Sequence, residues 1–395
     1  MKILVICQYY FPEPFRIADI CEELVRRGNA VTVVTGTPNY PMGEIYHGYE
    51  HGQRRKEVIN GVNIIRCPIH PRKKGAIHRL WNYYSYPFHS RHVVKQIKDE
   101  FDVVFIYQLS PVMMADAGIQ YAKKHHIKSV LYCLDLWPAS LNAGGINSGL
   151  IYSWFRKESQ KVYGKSDRIL ISSQSFATYF YEQYNRSDTI FLPQYAEETY
   201  SPQECEKNPD EYVDFMFAGN VGVMQSVDTV IKAAVLCKDI GNIRWHIVGD
   251  GIELENCRAL AKKYDAPVIF HGRQPIEQMP NYYSMADAML ITLKDDPVIS
   301  MTLPGKLQSY MAAGKPVIGA INGEAKNVIE QFKCGYCVPA CDYENLAAVC
   351  RRFAEDRSEY NAMGKNARVA YEKVYFKDKF IDSLEKDLMD MCARD

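Results

Sequence analysis

The sequence predicts an α/β protein made of two doubly wound parallel sheets. Three observations carry that expectation. Short, continuous apolar runs of the kind buried on both faces of a parallel sheet recur along the chain. Amphipathic helical stretches lie between them. A polar segment near residues 192–212, with three prolines, interrupts this alternation, which then begins again. A chain of 395 residues also exceeds what one hydrophobic core serves, leaving about 200 residues to each half.

The first half opens with "KILVIC", a buried first strand, and the loop "QYYFPEPFR" leads to "IADICEELVRRG", an amphipathic helix closing on Gly28. Then come the strands "AVTVVTG", "VNIIRC", "DVVFIY", "SVLYCLD" and "RILISS", with helical stretches between several of them. In the second half "VDFMFAGNVG" is a strand with a glycine loop, "SVDTVIKAAVLCK" a helix, and "IRWHIVGDG" the next strand and loop. "ELENCRALAKKY" and "IEQMPNYYSMA" are helices, and "VIFHG", "AMLITL" and "GYCVPA" are strands. Phe376, Phe380, Ile381, Leu384 and Leu388 at helical spacing predict an amphipathic closing helix. The expected domains are two Rossmann-like units, 1–195 and 196–370, with 371–395 packing back on the first. Ligands of open α/β sheets bind outside the carboxyl ends of the strands, so two units facing across a cleft would aim both sets of loops into it.

Apolar residues at 47% and charged residues at 24% are those of an ordinary soluble globular protein. No window approaches the ~20 apolar residues of a membrane span. The start, "MKILVICQYYFPEP", breaks into aromatics and prolines too soon for a signal peptide, so a cytoplasmic location is expected. Twelve cysteines without a repeating framework suit a reducing compartment. Cys334, Cys337 and Cys341 are the tightest group, but a zinc site needs a second ligand pair at matching spacing, and none is evident. No metal is expected.

Net charge is zero but unevenly spread. Residues 51–98 hold eleven Lys/Arg against one acid, Glu57, and include the aromatic run "RLWNYYSYPFHSRH". Cations near a surface attract anionic lipid, and Trp and Tyr favour the boundary between water and apolar phase. The segment is therefore expected either to dock on an anionic membrane or a lipid diphosphate, or to be a solvated basic face over an aromatic core. No nucleic-acid-binding motif accompanies the charge, so no nucleic acid partner is expected.

The stretch "SMTLPGKLQSYMAAGKPVIGA" concentrates the chemistry. Pro304 and Gly305 precede a helix ended by Gly314, and Lys306 lies in its first turn. A helix N-terminus offers unpaired N–H groups and partial positive charge, so it binds phosphate. A cation there works against the dipole unless an anion is the guest; the plain alternative is a lysine reaching solvent. Three further glycine loops follow strand ends: Gly219, Asn220 and Gly222; Gly249 and Gly251; Gly272 with Arg273. Together they favour a nucleotide-diphosphate pocket.

The order FAGN, HIVGDG, FHGR, PGKLQSYMAAGKPVIGA, GYCVP resembles the donor domain of GT-B glycosyltransferases of family 4. "YYFPEPFRIADICEELVRRGNAVTVVTGTPNYPMGEIYHGY" and "DLWPASL" are similar to the branch that includes WbuB-type N-acetylfucosamine transferases of bacterial surface polysaccharide assembly. The resemblance covers nearly the whole chain. It implies a retaining, metal-independent enzyme without cofactor that uses a sugar nucleotide, commonly UDP-linked, and no Asp-x-Asp motif is present. It also implies two glutamates eight positions apart, where this sequence has Met301 and Ser309, and an Arg and a Lys where it has Asn220 and Gln225. More of the diphosphate's charge then falls to Lys306 and Arg273, while Ser309 and Glu324 are candidates for the ribose.

In the first half Asp135 ends "SVLYCLD" and is the catalytic candidate, holding an acceptor hydroxyl or steadying positive charge at the anomeric carbon; the alternative is a turn cap. Arg16 is the acceptor or diphosphate candidate, with an ion pair to Asp19 as the alternative. Tyr40, Trp137 and the tyrosines at 83–86 read as core, and His246 and His271 as buried packing residues. The reaction expected is transfer of a sugar, N-acetylated, from a UDP-sugar to a lipid-diphosphate-linked glycan in capsule, exopolysaccharide or O-antigen assembly, peripheral to the inner face of the bacterial membrane. The rival readings are a UDP-sugar 2-epimerase and a non-catalytic scaffold. The sequence leaves the oligomeric state open.

Overall fold

The computed structural model describes all residues except 72–75, 144–148, 203–204, 206, 208–209, 357 and 394–395. The chain divides into two compact units, Met1–Leu192 with Ile381–Asp395, and Pro193–Phe380.

The first unit is an eight-stranded sheet: β1 (Lys2–Ile6), β2 (Ala30–Gly36), β3 (Lys56–Ile59), β4 (Val62–Cys67), β5 (Val103–Gln108), β6 (Lys128–Cys133), β7 (Arg168–Ile171) and β8 (Ile190–Phe191). Their order is β3-β4-β2-β1-β5-β6-β7-β8, parallel throughout except for β3 against β4. β5 is buried at every residue, as a strand between helical layers is, and its one polar side chain, Gln108, is hydrogen-bonded there. Chain direction from the first strand reverses between β1 and β5, the position where doubly wound sheets open a crevice. The closing helix, Lys377–Cys392, buries Ile381, Leu384 and Leu388. On this unit Arg168 donates to Asp387 at 2.5 Å and Asn29 to Glu385 at 2.6 Å.

The second unit is a six-stranded parallel sheet of β9 (Val213–Ala218), β10 (Ile243–Val248), β11 (Val268–Gly272), β12 (Ala288–Thr292), β13 (Val317–Ala320) and β14 (Gly335–Val338), ordered β11-β10-β9-β12-β13-β14. Its two cores show the alternation of a strand directly. Met216 and Ala218 of β9 pack on one face with Leu307, Tyr310 and Met311. Val213, Phe215 and Phe217 pack on the other with Trp245 and Phe353. The reversal point here lies between β9 and β12.

No helix among the described residues is long and apolar enough to cross a membrane. Nor does any group of three or more His, Cys, Asp or Glu among them have the makings of a metal site.

Candidate functional site

The second unit's site is built at the ends of β9 and β12. The helix Gly305–Ala312 starts from Pro304, whose extended backbone (φ −72°, ψ 132°) turns the chain into it. Tyr310 fixes the helix to the sheet: its hydroxyl accepts from the Ala218 N–H at 3.0 Å and donates to the Ala218 carbonyl at 2.9 Å. Arg368 donates to the Ala312 carbonyl at 2.6 Å, satisfying the far end of the helix where a cation is favoured.

One turn before Tyr310, Lys306 reaches back over β9. Its stem is partly accessible, but its Nζ is closed off from solvent and meets no hydrogen-bond acceptor among the described residues. The ammonium lies 3.7 Å from the centre of the Phe217 ring. Burial pushes its pKa down to about 7, because nothing there offsets the lost hydration of the charged form. The ring face supplies a partial counter-charge, and an anion would supply a full one. Lys306 passes directly over Gly219, where a Cβ would stand 3.2 Å from both its Cε and its Nζ.

The glycine loops are laced together through their backbones. Gly219 N–H donates to the Val248 carbonyl at 2.9 Å, Gly249 N–H to the Gly272 carbonyl at 2.8 Å, and Val221 N–H to the Asp250 carbonyl at 2.9 Å. Gly249 has to be glycine: φ is +139°, and a Cβ would lie 1.8 Å from the Gly219 carbonyl oxygen. The structure thus brings Gly219, Gly249, Gly272, Pro304, Gly305 and Lys306 to one rim. Asn220 and Gln225 bond each other, Nδ2 to Oε1 at 3.1 Å, beside Gly222. Arg273 is exposed after β11, the edge strand, two strands from β9 and about 10 Å away at the usual strand spacing. Glu324 is buried at the start of the helix Glu324–Gln331, and its charge bears on the Tyr375 phenol. Ser309 is buried and donates to Glu197 Oε2 at 3.4 Å.

In the first unit Asp135 is half-buried after β6. Ser110, two residues past the end of β5, donates to its Oδ2. The Trp137 indole donates to Ser110 Oγ at 2.7 Å, and the Gln108 amide to the Asp135 carbonyl at 3.1 Å. Arg16 sits at the N-cap of the helix Ile17–Arg26. Three residues before it, Glu13 is buried and accepts from the N–H groups of Tyr10, Asn39 and Tyr40 at 3.2, 2.8 and 2.8 Å. Burial raises the Glu13 carboxyl to about 7 against the pull of those three donors.

Two family models divide the chain between them: Glycosyltransferase Family 4 over residues 16–192 and Glycosyl transferases group 1 over residues 202–370. The chain is a glycosyltransferase of this two-part family. Curated relatives agree. WbjE of Pseudomonas aeruginosa, named as a glycosyltransferase, is 24% identical over 58% of this chain and 60% of its own length. WcaI of Escherichia coli (strain K12), named for glycosyl transfer in colanic acid biosynthesis, is 24% identical over 84% of this chain and 86% of its own. Among solved structures, sucrose-phosphate synthase from Thermosynechococcus elongatus superposes with a TM-score of 0.79 at 15% identity, covering 99% of each chain. HepE of Anabaena, solved with UDP, gives 0.72 at 13% identity over 99% of this chain and 100% of its own. The fold is GT-B.

Several features of the transferase were not legible as site features in its sequence. Tyr310 is an unremarked helix residue until its hydroxyl is seen bridging to Ala218. Glu197 comes from the polar segment that opens the second unit and carries no motif. His246 and His271 are more than packing residues: His246 Nε2 lies 2.8 Å from Asp214 Oδ1, and its Nδ1 lies 3.0 Å from His271 Nε2. This line across three strands starts from a carboxylate that also holds Arg244 and Lys207. Of the residues read as core, Trp137, Tyr83 and Tyr86 are buried, whereas Tyr84 is exposed and accepts from the Trp154 indole at 2.8 Å.

Proposed function

We propose that the transferase moves a sugar, N-acetylated, from a UDP-sugar to a lipid-diphosphate-linked glycan with retention at the anomeric carbon. The second unit takes the donor and the first the acceptor. The observation that supports this reading is the closed-off ammonium of Lys306 above Gly219, which has no acceptor among the described residues and whose charge an anion would offset. Gly219, Gly222, Gly249, Gly272, Pro304 and Gly305 let backbone approach the diphosphate. Asn220, Ser309 and Glu324 offer polar contacts to the rest of the donor, with Arg273 covering it from the edge. HepE, a fold neighbour, is solved with UDP and with UDP-glucose, which supports the choice of nucleotide.

Asp135 is the catalytic group in the first unit, and Arg16 contacts the acceptor. The acceptor hydroxyl attacks from the face the nucleotide leaves, and the departing phosphate takes its proton. No protein nucleophile, metal or cofactor is required. WcaI's name points to surface polysaccharide, which supports capsule, exopolysaccharide or O-antigen assembly; the WbuB-type motifs favour an N-acetylated deoxyhexose. Residues 51–98 draw the enzyme to the anionic inner face of the membrane; of their cations, Arg66 is buried in a pair with Glu57 and adds nothing to that surface, and Arg72, Lys73, Lys74 and the Arg79 side chain lie outside the described residues.

The neutral Asn220–Gln225 pair favours one rival, a non-catalytic scaffold. The test is release of UDP from a radiolabelled UDP-N-acetylhexosamine with a purified lipid-diphosphate acceptor. UDP release with label appearing in the lipid supports transfer, and Lys306→Ala abolishes it. UDP binding without turnover supports the scaffold. A new free sugar nucleotide made without acceptor would be epimerase activity.

A further inference from the structure

We propose that the first unit carries a two-helix aromatic wedge that inserts into the headgroup boundary of an anionic bilayer. The inference deepens the lipid-linked acceptor reading and gives the enzyme a defined way of sitting on its substrate's membrane, but its evidence is independent of that reading.

The helix Ala76–Gln96 has two unlike faces. Tyr83, Tyr86, Ser90 and Val94 are buried and lie on one side. Leu80, Trp81, Tyr84 and Phe88 fall within an arc of about 100° on the other, and all are exposed, Trp81 at 62% and Phe88 at 59%. Beside them the helix Gly149–Lys165 presents Leu150 at 89% and Trp154 at 54%. The Trp154 indole donates to the Tyr84 hydroxyl at 2.8 Å, so the two helices offer one continuous apolar surface rather than two separate stripes. Isolated exposed apolar side chains need no explanation, but a contiguous set of large ones marks a binding face.

Charge selects the occupant. The arc of the first helix runs on to exposed His92 and Lys95. The arc of the second runs on to exposed Lys157 and Lys161, the latter also paired to Glu158 at 2.6 Å. The segment 51–98, in which the first helix lies, holds eleven Lys/Arg to one acid in sequence, of which Arg66 is buried against that acid, Glu57. The core of a protein–protein interface is depleted in lysine. Aromatic side chains with lysine and arginine at their margins are instead the pattern of a surface lying in the membrane interface.

The chain reports on this itself. It has four tryptophans, and Trp137 and Trp245 are fully buried, so lipid-borne quencher reaches only Trp81 and Trp154. The full-length protein is mixed with vesicles of phosphatidylcholine, with and without phosphatidylglycerol, made with brominated acyl chains. Sedimentation and tryptophan quenching are read together. The expected result is partition to the anionic vesicles with quenching, weaker binding to neutral ones, and partition reduced by ~tenfold or more in W81A/W154A. Both substitutions are at exposed positions, and an unchanged melting temperature shows the fold is kept. Failure to sediment with anionic vesicles overturns the proposal, as does sedimentation without quenching. So does a concentration-dependent dimer that W81A/W154A abolishes in the absence of vesicle quenching, because the face would then bind protein. UDP release measured on the same preparations separates the two readings. Turnover without vesicle binding removes the wedge and keeps the reaction, and vesicle binding without turnover does the reverse.

Discussion

Lys306 and Phe217 form the closest cation–ring pair at the reversal point of the second sheet, with Nζ 3.7 Å from the ring centre and no acceptor for the ammonium among the described residues. A lysine held at about 7 is half-neutral at neutral pH. A diphosphate beside it would restore the charge, so UDP binding above pH 7 takes up a proton. The expected outcome is a binding enthalpy that varies with the ionisation enthalpy of the buffer. Affinity falls about tenfold per pH unit above about 7 until the pKa of the bound state is reached. Lys306→Met removes both dependences and weakens UDP by ~10–100-fold. The stability sign is opposite. The folded pKa lies below the unfolded value near 10.4, so this group's contribution is fully present above about 10.4 and lost as pH falls towards about 7. Lys306→Met therefore melts at a higher temperature than the parent at pH 7 while binding less UDP. Calorimetric titration and scanning read both.

Gly219 and Gly249 separate a strain in the backbone from one a side chain can absorb. Both have φ +139°. At Gly219 a methyl group meets the flexible end of Lys306, which can swing aside, leaving mainly the backbone penalty of about 1–3 kcal/mol. At Gly249 it meets the Gly219 carbonyl at 1.8 Å, which cannot move without breaking the lacing of the strand ends. Gly249→Ala is expected to lower the melting temperature well beyond Gly219→Ala. Gly219→Ala should retain most of its stability but lose UDP affinity, because the displaced ammonium no longer lies over β9. Equal stability losses with unchanged affinity would contradict this.

Most strands were legible as short apolar runs: β2 coincides with "AVTVVTG" and β12 lies within "AMLITL", both buried almost throughout, while β4 and the edge strand β11 coincide with "VNIIRC" and "VIFHG" although each carries an exposed residue. β3 escaped because its residues alternate between exposed and half-buried at the sheet edge. Yet Asn60-Gly61, both at positive φ, is the hairpin signal that would have found it. The position of Lys306 in a first helical turn was legible, since Pro304 and Gly305 mark the start. Its depth was not, because that depends on Phe217 and Gly219, nearly ninety residues away. Glu197 and the Asp214–His246–His271 line depend on packing between distant segments, which periodicity does not encode.

Asp214 on β9 binds Arg244 and His246 of β10, and through His246 reaches His271 of β11, so it should govern the unit's acid stability. Its carboxylate is fully buried and takes Arg244 Nε at 2.6 Å, Lys207 at 2.7 Å and His246 at 2.8 Å. Burial alone would raise its pKa, but these partners outweigh it and hold it well below the usual carboxylate range. A depressed carboxylate contributes stability that is present above its unfolded value near 3.9 and is lost as pH falls through the folded pKa. Asp214→Asn leaves Lys207, Arg244 and His246 short of an acceptor charge, at a cost of about 3–5 kcal/mol. His271, whose pKa is lowered by burial and then by His246, adds a smaller loss as pH falls below about 6.5. Urea unfolding across pH 2–8 reads the His271 loss and the onset of the Asp214 loss; a variant as stable as the parent at pH 7 would remove Asp214 from this role.

Asp135 is held rather than merely present. The Trp137 indole donates to Ser110 Oγ at 2.7 Å, which turns the Ser110 hydroxyl proton onto the Asp135 carboxylate. A serine has one hydroxyl proton, and with the Trp137 N–H pointing at its oxygen that proton is directed onto Asp135 Oδ2, which fixes the orientation of the carboxylate. If the carboxylate acts on the acceptor or on developing positive charge, its charge matters more than its orientation. Asp135→Asn should then lower kcat by on the order of 10²-fold or more with the melting temperature nearly unchanged. Ser110→Ala keeps the charge and loses one donor, for about tenfold at most, and Ser110→Thr should restore most of it. A structural cap would give the opposite ranking: both Asp135→Asn and Ser110→Ala would lower the melting temperature, and activity would follow the folded fraction.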